Sequence, residues 1–346
     1  MLKALTLLSL FAMMNINFLY PLFQEKPVKG IYLSADSVST EANFNQLIEM
    51  VEKTSQNAMV IDVKNDDGMV TYDSNIPLVN EIQSDKNAPI KDLRSVLKTL
   101  KEKDIYTIAR IVVFKDPYLA KKKTEWAIKN KKHALWRDKG GNMWVDPHRK
   151  EVWDYTISIA QEVSKLGFDE IQWDYVRFPD YKNIDKEVNF AASPFKSKEE
   201  TIGGFLKYAY PKVKSPNVTI SADVFGLTTS ENNDMGIGQR WEIITQYVDV
   251  ISPMMYPSHY SKGNYGIADP ESQPYQLIKA GLKDAIKKNN EVKAQGKSVA
   301  KIRPWYQDFD MRVPYNLKQV QDQIKAGNEL GINEYLLWNA RNQYSY

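Results

Sequence analysis

From residue 30 onward, apolar runs rich in β-branched residues alternate with stretches whose apolar positions recur every three or four residues. The apolar runs fall at Gly30 to Ala35, Ala58 to Asn65, Tyr106 to Phe114, Glu170 to Phe178, Thr219 to Gly226, Val248 to Tyr256, Ala300 to Gln307 and Glu334 to Asn339. Helical patterns lie between them at Asn43 to Lys53, Pro89 to Lys103, Val152 to Leu166, Gln239 to Tyr247, Tyr275 to Lys288 and Leu317 to Leu330. A weaker helix spans 199–213, with Gly203 and Gly204 inside it. Strands that are apolar along their whole length are buried on both faces, as parallel strands are when crossover helices cover the sheet. Eight such units over ~250 residues or more predict an α/β chain forming one (β/α)8 TIM barrel, here residues 29–346.

One of these runs ends in a carboxylate. The segment DEIQWDYVRFP, Asp169 to Pro179, delivers Asp174 beside Tyr175 and Arg177 at the C-terminal tip of strand 4, the end where such barrels do chemistry. Alternation turns Gln172 and Asp174 toward the barrel axis and Ile171 and Trp173 toward the helices. On strand 5, SADVFG likewise turns Ser221 and Asp223 inward. Adjacent strands lie ~4.8 Å apart, so the two acids are expected within ~5 to 6 Å. Two carboxyls that close cannot ionise equally easily; one keeps its proton and can act as general acid while the other stays an anion. Glycoside cleavage needs that division, and a separation near ~5 to 5.5 Å favours retention of configuration. The competing structural reading pairs Asp174 with Arg110 or Arg177 and uses Asp223 to orient a loop.

Further candidates cluster at the same end. Asp62 and Lys64 share a face of strand 2, where they would hold substrate hydroxyls, tune Asp174 or form an ion pair. Asp308, near the end of strand 7, is a third candidate acid. The loops are aromatic: Trp136 and Trp144 flank Gly140-Gly141, YPSHYSKGNYG carries Tyr256 and His259, RPWYQDFD carries Trp305, and LLWNARN carries Trp338. Aromatic faces with polar rims suit sugar rings. The expected lining is therefore Asp62, Lys64, Arg110, Tyr175 and Arg177, with Tyr256, His259, Trp305, Asp308 and Trp338 opposite. A polysaccharide is the expected partner, and a non-catalytic glycan-binding barrel is the rival reading.

Composition narrows the classes. The chain is 43% hydrophobic, enough for a barrel interior and a helical shell, and no linker divides it. Net charge is +3, and the Lys runs at 121–123, 129–132 and 287–288 read as solvated helix faces, so no nucleic-acid partner is expected. Without cysteine, neither a thiol nucleophile nor a Cys-ligated zinc is available. His133, His148 and His259 fall in separate loops without metal-ligand spacing. The calcium-like segment Asp62 to Gly68 has Lys64 at a ligand position and no Glu at the twelfth, and reads as a turn. No metal or cofactor is expected. Met1-Leu2-Lys3 followed by the apolar run 4–23 reads as a signal peptide or uncleaved membrane anchor over residues 1–25, placing the barrel outside the cytoplasm.

Together the motifs VIDVKNDDGMVTY (60–72), IARIVVFKDPYLA (108–120), GFDEIQWDYVRFP (167–179), SADVFG (221–226), GQRWE (238–242), VDVISPMMYPSHY (248–260), IRPWYQDF (302–309) and LLWNA (336–340) make the chain resemble a bacterial glycoside hydrolase family of unknown function, distantly related to α-amylase-like barrels. That resemblance implies a (β/α)8 polysaccharide hydrolase. It further implies that Asp174 is the nucleophile and Asp223 the proton donor, with Asp standing where amylase-like enzymes generally have Glu.

Overall fold

The structure, a computed structural model, describes residues 26–345, so the expected leader at 1–25 lies outside the described residues. Eight parallel strands close into a barrel: β1 (Lys29–Leu33), β2 (Ala58–Lys64), β3 (Tyr106–Val112), β4 (Glu170–Asp174), β5 (Thr219–Phe225), β6 (Val250–Met255), β7, split into Lys301–Ile302 and Trp305–Gln307, and β8 (Tyr335–Trp338). Pairing runs in chain order and returns from β8 to β1. The split in β7 falls at Arg303-Pro304, where proline has no N–H to give a ladder.

Strand β4 stops earlier than its apolar pattern suggests. The Tyr175 amide donates to the Asp174 carboxylate at 2.6 Å rather than to the sheet, and Tyr175 takes a left-handed φ of 48°. The Asp174 side chain thus takes the Tyr175 amide at the strand end, while the Tyr175 carbonyl still accepts the Phe114 amide at 3.4 Å.

Helices Glu41–Lys53, Leu93–Glu102, Lys150–Leu166, Lys198–Val213, Pro274–Ala294 and Leu317–Asn328 form the outer layer, and the pattern at Gln239 to Tyr247 shrinks to a helix at Trp241–Ile244. The glycines that weaken the Lys198–Val213 signal permit close packing: a Cβ on Gly203 would stand 2.5 Å from Ile243, and one on Gly204 2.4 Å from the Phe195 ring. Apolar side chains divide into two clusters. The larger one lies between strands and helices, and a smaller one of Tyr32, Val60, Ile108, Tyr256, Trp305 and Leu336 fills the barrel interior.

At the N-terminal end of the strands the interior is polar. Arg303 Nη1 donates to both oxygens of Glu170 at 2.9 and 2.8 Å, and Arg303 Nε to Glu334 at 3.0 Å. Tyr106 and Ser221 hydroxyls also donate to Glu170. This buried network ties β3, β4, β5 and β7 together at the end opposite the acids. Above β3 and β4, the short antiparallel pair Lys129–Asn130 and Val188–Asn189 joins the two long loops that overhang the mouth.

Candidate active site

The register of β4 on β5 pairs Gln172 with Ser221 and Trp173 with Ala222, so the next inward positions, Asp174 and Asp223, face each other across adjacent strands. Asp223 is 1% exposed and accepts the Trp305 indole N–H at 2.8 Å. Burial, then the neighbouring Asp174 carboxylate, pushes the Asp223 carboxyl well above its usual range, against the opposing pull of Trp305 and Arg110. Oδ1 accepts from the indole, and among the described residues no hydrogen bond engages Oδ2.

Asp174 has a different environment. Its Oδ2 accepts from Arg110 Nε at 2.8 Å and pairs with Nη2 at 2.6 Å, while Oδ1 accepts from the Tyr175 amide. Every one of these partners is a hydrogen-bond donor. Arg110 also binds Asp62 through Nη1 at 2.6 Å and Asp66 through Nη2 at 2.9 Å. Asp62 in turn accepts from the Tyr32 hydroxyl at 2.6 Å. Asp66, which burial would raise, is instead held down to about 2 by Arg110 and Lys115. One guanidinium thus holds three carboxylates, and its flat face lies 5.4 Å from the Trp338 ring, itself stacked on Tyr32 at 4.1 Å.

These groups open into a cavity of about 510 Å³. It is lined by Asp174, Asp223, Arg110, Tyr175, Arg177, Tyr256, His259, Trp305 and Trp338 among the residues singled out in the sequence. Tyr256 and His259 meet edge to face at 5.5 Å, and burial lowers the pKa of His259 from its usual value. The cavity also takes in Tyr260, a further aromatic of the YPSHYSKGNYG loop, and Asp66, Asp180, Phe225, Gly226, Leu227 and Met254, which the sequence does not single out. Asp66 sat in view within the Asn65-Asp66-Asp67-Gly68 turn, but only the fold shows that the turn bends back over Arg110.

Three expected lining residues lie elsewhere. Alternation put Lys64 beside Asp62 on the inner face; instead, a bulge shifts the register so that Asp62 pairs with Arg110 and Lys64 with Ile111. The extra residue turns Lys64 outward, where its ammonium meets the fully buried Asp116 at 2.9 Å and the Val112 carbonyl at 2.6 Å. Asp62 faces inward but sits behind Arg110 and does not reach the cavity. Asp308 also lies off the cavity, under the C-terminal segment, where it accepts the Ser345 amide at 2.9 Å. Trp136 is buried against Tyr181 and packs the loop rather than the cleft.

Burial raises the Asp308 carboxyl from 3.8 to about 6. A carboxyl raised on folding stabilises the fold below its unfolded pKa, and that contribution is lost as pH rises through the folded value. Between pH 4 and pH 7 the wild type should therefore lose up to about 3 kcal/mol of stability that Asp308→Asn does not lose. Urea denaturation across that range measures this; parallel curves for the two proteins would show that Asp308 does not titrate as its burial requires.

Among the described residues no group of three or more His, Cys, Asp or Glu has the arrangement of a metal site, and no helix is long and apolar enough to cross a membrane. Residues 30–344 match a family described as "Putative glycosyl hydrolase domain". A hypothetical protein from Ruminiclostridium thermocellum is 41% identical over 56% of this chain and 97% of its own, with a TM-score of 0.51. The glycoside hydrolase domain of PgaB (BpsB) from Bordetella bronchiseptica aligns with a TM-score of 0.63 at 13% identity, covering 91% of this chain and 95% of that one. The spore cortex-lytic enzyme SleL of Bacillus cereus aligns with a TM-score of 0.53 at 11% identity over 92% of this chain and 72% of that one. At those identities the last two likenesses bear on fold. The chain matches no curated protein.

Proposed function

The chain belongs to the glycosyl hydrolase domain family that matches residues 30–344, and on that footing we propose that it hydrolyses a polysaccharide of the bacterial envelope or extracellular matrix by a retaining, two-carboxylate mechanism. The observation carrying this reading is the register that sets Asp174 opposite Asp223, one wrapped in donors and the other buried with its carboxyl pushed well above the usual range. In this reading Asp174 attacks the anomeric carbon and Asp223 protonates the departing glycosidic oxygen through Oδ2. Water then attacks the glycosyl–Asp174 ester while Asp223, now an anion, takes up the proton. Adjacent strands set backbones ~4.8 Å apart, and that spacing suits the short carboxyl separation retention requires.

Trp305 holds Asp223 and, with Trp338, presents aromatic surface to a sugar ring. Localisation outside the cytoplasm is proposed with the substrate class, on the reading of residues 1–25 as a signal or anchor. No cofactor enters this mechanism.

The test is reducing-end release from a panel of cell-wall and exopolysaccharides. Cleavage of at least one polymer is the expected result; glycan binding without cleavage of any would replace the hydrolase with a binding module. The pH profile supplies a second check. Activity needs Asp223 protonated, so kcat/KM should stay high above the usual carboxylate range and fall as pH rises through the raised Asp223 pKa. An alkaline limb near pH 4 would remove Asp223 from the acid's role.

A further inference from the structure

Among the described residues three arginines are buried, and two of them are paired with carboxylates: Arg110 with three and Arg303 with two. Arg177 differs. It is 9% exposed, yet among the described residues it makes no ion pair, and its one hydrogen bond runs from Nη1 to the Phe178 carbonyl at 3.0 Å. Its guanidinium is held instead by aromatic faces, 4.8 Å from the Tyr175 and Phe225 rings and 5.1 Å from Trp144. A guanidinium carries five N–H donors in a fixed fork that matches a carboxylate or phosphate. Arg177 lines the catalytic cavity, so a group within that cavity can meet the unengaged donors.

Beside this cavity lies a second recess of about 460 Å³, lined by Lys86, Lys121, Lys122 and Arg137, with Asp67 as its one acid. None of these four cations pairs with a carboxylate among the described residues. Two pairs of adjacent residues connect the recesses. Asp66 faces the cavity while Asp67 faces the groove, and Trp144 stacks on Arg177 while Met143 lines the groove. Two of the cavity's acids, Asp66 and Asp174, are already paired with Arg110, and Asp180 adds a carboxylate that acts on Arg177 without forming an ion pair with it. Arg177 thus keeps donors unengaged within the cavity, and the groove carries cations that no carboxylate among the described residues pairs.

We propose that the substrate is an anionic glycan: Arg177 grips a carboxylate or phosphate on a sugar next to the cleavage point, and the Lys86–Lys121–Lys122–Arg137 groove follows the polymer beyond it. The orientation toward the cleavage point rests on the hydrolase reading, whereas the anion preference rests on Arg177 and the groove.

Binding measured without turnover tests it. Asp174→Asn protein is titrated by affinity electrophoresis with polygalacturonate and hyaluronan (carboxylate), teichoic acid (phosphate), and dextran and laminarin (neutral). At least one anionic polymer should bind about tenfold or more tighter than the neutral ones, as charge-assisted hydrogen bonds imply, and lose that margin in high salt. Which of the carboxylate and phosphate polymers binds identifies the anion. Arg177→Gln should weaken binding about tenfold, with Arg177→Lys recovering only part of it because a point charge lacks the fork. Lys121→Glu/Lys122→Glu, both exposed, should weaken it independently without disturbing the fold. Neutral polymers bound as tightly as every anionic one, no anionic polymer retained, or wild-type affinity in both the Arg177→Gln and the double-Lys variants would overturn the proposal. Cleavage of a neutral polymer with no anion preference would leave the hydrolase standing and this inference refuted; anion binding by a wild type that cleaves nothing would do the reverse.

Discussion

Asp174→Asn should lower kcat/KM for glycan cleavage by about 10³-fold or more, the scale seen when an enzyme loses its nucleophile, while the barrel stays folded. The amide oxygen can still accept the Tyr175 amide at the strand end, while its NH2 faces Arg110, which retains Asp62 and Asp66. What disappears is the charged oxygen that must bond to the anomeric carbon. The shorter Asp174→Ala should show the same loss and regain activity with azide, which fits the space left and attacks in place of the carboxylate. Asp223→Asn should fall by about 10² to 10⁴ and be spared with substrates whose leaving group needs no proton. Wild-type rates from Asp174→Asn would remove this residue from the chemistry altogether.

Arg110→Met should cost about 3 to 5 kcal/mol of stability, besides abolishing activity, because it strands buried carboxylates without a counter-charge. Asp62 and Asp174 are 4% and 6% exposed, and both lean on the same guanidinium at 2.6 Å. Methionine can replace the side-chain volume but none of the donors. Arg110→Lys should recover only a fraction, since a lysine ammonium cannot span three carboxylates set around a planar fork. Urea denaturation at pH 7 measures the loss. A change under about 1 kcal/mol, the scale of a surface ion pair, would mean that the three acids find other partners or take up protons. A destabilisation that vanishes at acid pH would itself support the account, because protonated carboxyls no longer need the arginine.

The barrel was legible because its strands are buried on both faces, which writes an unbroken apolar run into the chain, and because Asp174 interrupts such a run at its end. The inward turn of Asp174 and Asp223 followed from simple alternation, since β4 and β5 pair without a bulge up to these residues. The same rule failed on β2. There one bulge between Asp62 and Lys64 reverses the phase, and nothing in VIDVKND marks it, because register depends on the neighbouring strand. Asp66 and the Arg177 stack were hidden for a related reason: each depends on loops that meet only after folding. Some of the missed structure did leave local signals. Asp116-Pro117 is an N-cap followed by proline in the first turn, and the helix Pro117–Lys122 starts there, with the Asp116 side chain accepting the Leu119 amide at 2.8 Å.

The juxtaposed acids, as a retaining pair, are tested most directly by the configuration of the first sugar released, followed by ¹H NMR in D₂O before mutarotation. A product anomer matching the cleaved linkage is the result these strands predict. The opposite anomer would require a water between carboxyls set ~6.5 to 9.5 Å apart, wider than the ~4.8 Å spacing of the strands that carry them.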